Sequence, residues 1–146
     1  MHDPSGASRA QDKRQSGLNT MDAVYGEGFS ARISPPGTPF LEETVTHLFA
    51  DVWARPGLSI RDRRLLVIGA TAALGRSDLI RIQATGALTN GELSETELNE
   101  AVLQLAYYVG WGNATEVSAG VQSALEAHRS SARSQPTERP INGETE

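Results

Sequence analysis

"SIRDRRLLVIGATAALG", residues 59–75, decides the fold. Ser59 has the form of an N-cap, and Asp62 follows three residues later, where a carboxylate suits the positive end of a helix. The body, "LLVIGATAAL", is apolar on every side. A helix of that kind is buried on every side, so this segment is expected to be the central helix, with Gly75 ending it.

Helical signals continue in both directions. Upstream, Thr38 can cap and Pro39 suits the first helical position. Phe40, Leu41, Val45, Leu48, Phe49, Val52 and Trp53 keep a stripe until "RPG" at 55–57 stops it. Downstream, Ser77 is expected to cap a short helix that closes at Asn90-Gly91. "SETE" at 94–97 has the form of a capping box, Ser94 with Glu97, and Gly110 ends the stripe behind it. "NATE" at 113–116 repeats the pattern for a last helix. No alternating strand pattern occurs. The expectation is an all-α domain over residues 38–129, with five principal helices and short connections.

The ends read differently. Residues 1–17 and 130–146 are polar, without an apolar period, and are expected to be disordered tails. Residues 18–37 hold a few apolar anchors among glycines and are expected to lie on the domain as an arm, with at most short helix.

Composition excludes several chemistries. The 146 residues include no cysteine, so disulfides, thiolate metal sites and cysteine nucleophiles are out. The three histidines, His2, His47 and His128, do not share a helical face at ligand spacing, so no metal is expected. No apolar run is long enough to span a membrane, and no signal-peptide pattern opens the chain, so no membrane partner and a cytoplasmic location are expected. Net charge is −5, and residues 18–128 carry thirteen acids against seven bases. Such a segment should repel nucleic acid. Yet four of those bases, Arg55, Arg61, Arg63 and Arg64, fall within ten residues.

The stretches "DVWARPGLSIRDRRLLVIGATAALGRSDL" and "GALTNGELSETELNEAVLQLAYYVGWGNA" resemble the carboxymuconolactone decarboxylase family. The resemblance runs over roughly residues 38–128. It implies an all-α fold shared with alkylhydroperoxidase-D-like proteins, and a homo-oligomer, usually a trimer or hexamer. In the peroxidase-like branch the functional glutamate, two cysteines and histidine would fall on Arg64, Arg76, Leu79 and Gln83. All four differ, so cysteine-based peroxidase activity is excluded. The decarboxylase branch is cofactor-free and removes CO2 from a carboxylate-bearing lactone during aromatic acid degradation. It implies such an enzyme here, with a small carboxylate as substrate. The alternative is a non-catalytic oligomeric binder of the same kind of anion.

Trp53, Arg55, Arg63, Glu97, Glu100, Tyr108 and Gly110 match family positions, whereas the usual histidine is Gln83 and the usual proline is Gly112. The candidate catalytic residues are therefore Gln83, Glu100 and Tyr108. The candidate substrate-binding residues are Arg63, Arg64, Arg55 and Trp53. Each has a structural alternative. The arginines can form ion pairs, and Glu97 can serve the capping box. Glu100 can pair with Arg63 or act as an acid. One of Tyr107 and Tyr108 can pack in the core, and the tryptophans Trp53 and Trp111 can anchor packing. A glutamine amide donates and accepts but does not titrate near neutral pH, so Gln83 can orient a substrate where a histidine would move a proton.

Overall fold

A computed structural model describes residues 4–33 and 37–134, with the side chains of Pro4 and Ser5 left aside. Six α-helices are present among the described residues: α1 Pro4–Tyr25, α2 Pro39–Glu43, α3 Ile60–Ala73, α4 Ser77–Thr89, α5 Glu95–Val109 and α6 Trp111–Ser134. No strand is present among them, and no helix is long and apolar enough to cross a membrane.

The caps at Thr38, Ser59 and Ser94 form as expected. Each side chain accepts the N–H three residues on, and Glu97 returns the bond to the Ser94 N–H. Two other expected caps do not form. Arg76 occupies the cap position of α4 without a side-chain capping bond to the helix N-terminus, and Ser77 is already helical. Helix α6 starts at Trp111, so Asn113 lies inside it. Its amide donates instead to the carbonyls of Val109 (3.1 Å) and Ala73 (3.3 Å), tying the ends of α5 and α3.

After Glu43 the chain winds on as a π-helix, Thr44–Trp53. The hydroxyls of Thr44 and Thr46 donate to the Phe40 and Glu42 carbonyls at 2.8 and 2.7 Å. Such back-bonding competes with the ordinary ladder and loosens it.

The largest departure is at the N-terminus. Residues 4–17 belong to α1 rather than to a disordered tail, and the helix continues to Tyr25 through the expected arm. Met21 and Val24 are buried with Val45, Phe49 and Trp53 of the π-helix, forming one of two cores. Gly17 permits the contact, because a Cβ there would stand 2.0 Å from the Val45 carbonyl oxygen. The second core joins α3 to α6 through Ile68, Ile80, Ala84, Leu98, Val117, Val121 and Leu125. At the other end, residues 130–134 are helical, and 135–146 lie outside the described residues, as do Met1–Asp3 and Ser34–Pro36.

Helix α3 is central but not buried on every side. Leu66 is 64% exposed and Leu74 71%, with Ala70 exposed between them. Spaced four residues apart, they form an open apolar stripe.

Candidate functional site

Arg64 leaves α3 toward the interior and is 0% exposed. Its Nε and Nη2 donate to the two oxygens of Glu92 at 2.6 and 3.0 Å, a bidentate pair. Nη2 also donates to the Val24 carbonyl at the end of α1. Nη1 donates to the Gln83 side-chain oxygen at 3.0 Å and to its carbonyl at 3.3 Å. The Gln83 amide then donates to the Tyr25 hydroxyl at 3.2 Å. Asn90 joins the knot by donating to Glu92 (2.9 Å) and to the Val24 carbonyl (3.1 Å). Gly86 leaves room for it: a Cβ there would lie 2.7 Å from Arg64 Nη1. A charge this deep requires that its donors be answered, and all three guanidinium nitrogens are. Arg64 therefore faces no solvent-open space. Gln83, 6% exposed, is a bonded member of the same knot.

Arg63 is the next residue and turns about 100° away around the helix. It lines a pocket of about 170 Å³ with Leu48, Val52, Trp53, Leu66 and Val67. Its Nη2 donates to the Arg55 carbonyl at 3.0 Å. Its Nε is buried and has no partner among the described residues. Trp53 is fixed by stacking on Phe49, with ring centroids 6.0 Å apart. The structure thus brings together Trp53, Arg63 and the main chain of Arg55. The Arg55 side chain is exposed and is not part of the lining.

A larger open groove of about 460 Å³ runs between α3 and α5. Its floor is Leu65, Ile68, Leu93 and Leu105, and Arg61, Glu97 and Glu100 stand at its edge. Arg61 is committed to Glu97 (3.0 Å) and to the Glu92 carbonyl (3.0 Å). Glu97 is held below the usual carboxylate range by the Ser94 N–H first, then by Arg61. Two carboxylates against one paired cation make this groove a poor place for an anion. Glu100 is exposed there, and no hydrogen bond or ion pair joins it to Arg63.

Tyr108 is 79% exposed on α5, and Tyr107 is also exposed, packing edge-on against Trp111 at 5.8 Å. Neither tyrosine enters a core. The seven candidate residues therefore do not form one constellation. Glu92 and Tyr25, which complete the buried knot, were missed. Glu92 directly follows the Asn90-Gly91 turn, and Tyr25 sits on the unforeseen helix.

The family model described as carboxymuconolactone decarboxylase matches residues 39–123. Over 62 residues the chain is 37% identical to 4-carboxymuconolactone decarboxylase of Acinetobacter baylyi, covering 42% of this chain and 46% of that protein. Over 113 residues it is 29% identical to a nitrosuccinic acid decarboxylase of Metarhizium robertsii, covering 75% and 78%. The match thus spans about half the length of the first relative and over three-quarters of the second. The matched region opens at the first residue of α2 and runs into α6, leaving α1 outside it. Over more than half its length, this chain belongs to the carboxymuconolactone decarboxylase family.

Proposed function

We propose that this protein is a cofactor-free decarboxylase-like enzyme whose small carboxylate substrate is held at the Arg63–Trp53 pocket. The observation that carries the reading is the buried, unpartnered Nε of Arg63. A guanidinium N–H without an acceptor, beside apolar walls, is a strong place for a carboxylate oxygen.

Loss of CO2 leaves an electron pair on carbon. Without a cofactor, the substrate itself must hold that pair, through a carbonyl or a nitro group. The relative named for nitrosuccinic acid supports an acid of this sort. Gln83 cannot supply a proton near neutral pH, and its amide is already bonded on both sides. Protonation of carbon by water fits a substrate that stabilises its own anion. A second reading, a non-catalytic oligomeric binder of such an acid, is favoured by the same closed knot around Gln83.

A homo-oligomer is part of the proposal, supported by the open stripe of Leu66, Ala70 and Leu74. The test of binding is thermal: nitrosuccinic acid should raise the melting temperature of wild type, and Arg63→Gln should remove the rise. A charge-assisted bond contributes about 1.5–3 kcal/mol, so affinity should fall roughly ten- to hundredfold. An undiminished rise in Arg63→Gln would place the acid elsewhere.

A further inference from the structure

Helix α5 turns two adjacent rows of side chains to the groove beside α3. Ala101 and Leu105 belong to the inner row and join Leu65, Ile68 and Leu93 in an apolar floor. Thr96, Glu100 and Gln104 recur every four residues as an outer row, so they stand one turn apart along the rim. All three are exposed, and their side chains have no hydrogen-bond or ion-pair partner among the described residues. Arg61 is the one cation of the lining, and it is already taken up by Glu97 and the Glu92 carbonyl. At about 460 Å³ the space falls inside the usual small-molecule range of roughly 300–1,000 Å³.

Arg61 and Glu97 neutralise each other, so the Glu100 carboxylate sets the sign of the groove. We infer that the groove is a second ligand site, for a small amine with a hydrocarbon body. The ammonium group pairs with Glu100 at the rim, where the Thr96 hydroxyl and the Gln104 amide offer oxygens to its remaining N–H groups. The hydrocarbon lies on Leu65, Ile68 and Leu105, and its removal from water drives binding. The charged head stays at the water-exposed edge, so it keeps part of its hydration and contributes selectivity more than affinity. A carboxylate head on the same body would face Glu100 and be repelled. The site is distinct from the Arg63 pocket, which lies against the π-helix and offers the opposite charge.

The test uses 4-phenylbutylamine, 4-phenylbutanol and 4-phenylbutanoate, which share a body and carry a positive, a neutral and a negative head. Their affinities for the full chain are measured by calorimetry at pH 7 and low ionic strength. The amine should bind wild type about two- to fivefold more tightly than the alcohol, the contribution of one exposed ion pair. In Arg63→Gln, where the acid pocket has lost its cation, the amine should bind as in wild type and the carboxylate more weakly than the alcohol. Glu100→Gln should bring the amine down to the alcohol, and Ala101→Phe, which fills the groove from α5, should abolish binding of both. An alcohol bound as tightly as the amine, or an amine preference that survives Glu100→Gln, would overturn the inference and leave the Arg63 reading untouched. Undiminished binding to Ala101→Phe would overturn it by placing these ligands elsewhere. Binding of none of the three, with Ala101→Phe breaking up an assembly, would overturn it and give the groove to a second copy.

Discussion

At the scale of single residues, adjacent arginines have opposite fates. Arg64 is closed in by Glu92, Gln83 and Val24, whereas Arg63 keeps a donor without an acceptor. Removing Arg64 leaves Glu92, whose side chain is 12% exposed, without its counter-charge. Arg64→Ala should therefore destabilise the fold by about 3–5 kcal/mol in a denaturant titration. Gln83→Leu takes away one acceptor of Arg64, whose bond to the Gln83 carbonyl remains, and the donor to the Tyr25 hydroxyl, and should cost about 1–3 kcal/mol. Residue 83 also makes a prediction about chemistry. Wild type should turn over 4-carboxymuconolactone poorly, and any activity should show no ionisation belonging to that position. Turnover at an ordinary enzymatic rate, roughly 1–1,000 per second, would show that the missing histidine is dispensable. The sequence marked both arginines as unusual for an acidic domain. It could not tell which one faced inward, because that depends on where α1 and the Gly91–Leu93 turn meet α3.

Among the elements, three caps were legible, those of Ser77 and Asn113 were misplaced, and packing partners were not legible. Thr38, Ser59 and Ser94 announce helix starts through local chemistry alone, and all three form. Helix α1 escaped because its apolar residues, Leu18, Met21, Val24 and Tyr25, crowd into its last turns while the preceding residues are polar. Its register is fixed by tertiary contact with the π-helix, and Gly17 marks the closest approach. Gly17→Ala would push a methyl into the Val45 carbonyl and should destabilise by about 1–3 kcal/mol. A circular dichroism melt unchanged from wild type would mean that α1 does not dock as described. The start of α4 makes a pH-dependent case. Arg76 donates to Asp78 through Nε and Nη2 and holds its carboxyl down to about 2, against an ordinary 3.8. A depressed carboxylate stabilises the fold above its ordinary value and loses that contribution as pH falls through the folded one. The stability difference between wild type and Arg76→Gln should thus be present at pH 7, shrink below about pH 4 and vanish near pH 2. A difference that persists at pH 2 would rule out Asp78 as its source.

For the whole molecule, the open stripe on α3 and the small acid pocket lie on the same side. Leu66 belongs to both. The all-apolar reading of "LLVIGATAAL" described a helix buried all round, and the described residues of a single chain leave Leu66, Ala70 and Leu74 uncovered. A proposed second copy over this face reconciles the two. Sedimentation should show an assembled species, and Leu66→Glu with Leu74→Glu should dissociate it while helicity persists. A wild-type monomer at all concentrations would contradict the assembly. The acid pocket itself is tested most directly by kcat/KM for CO2 release from nitrosuccinic acid, measured side by side for wild type and Arg63→Gln. Wild type should release CO2 and the variant should lose roughly ten- to hundredfold, with melting temperatures within a few degrees of each other. Equal kcat/KM in the two proteins, or a collapse of the variant's melting temperature, would contradict this and make Arg63 a structural residue.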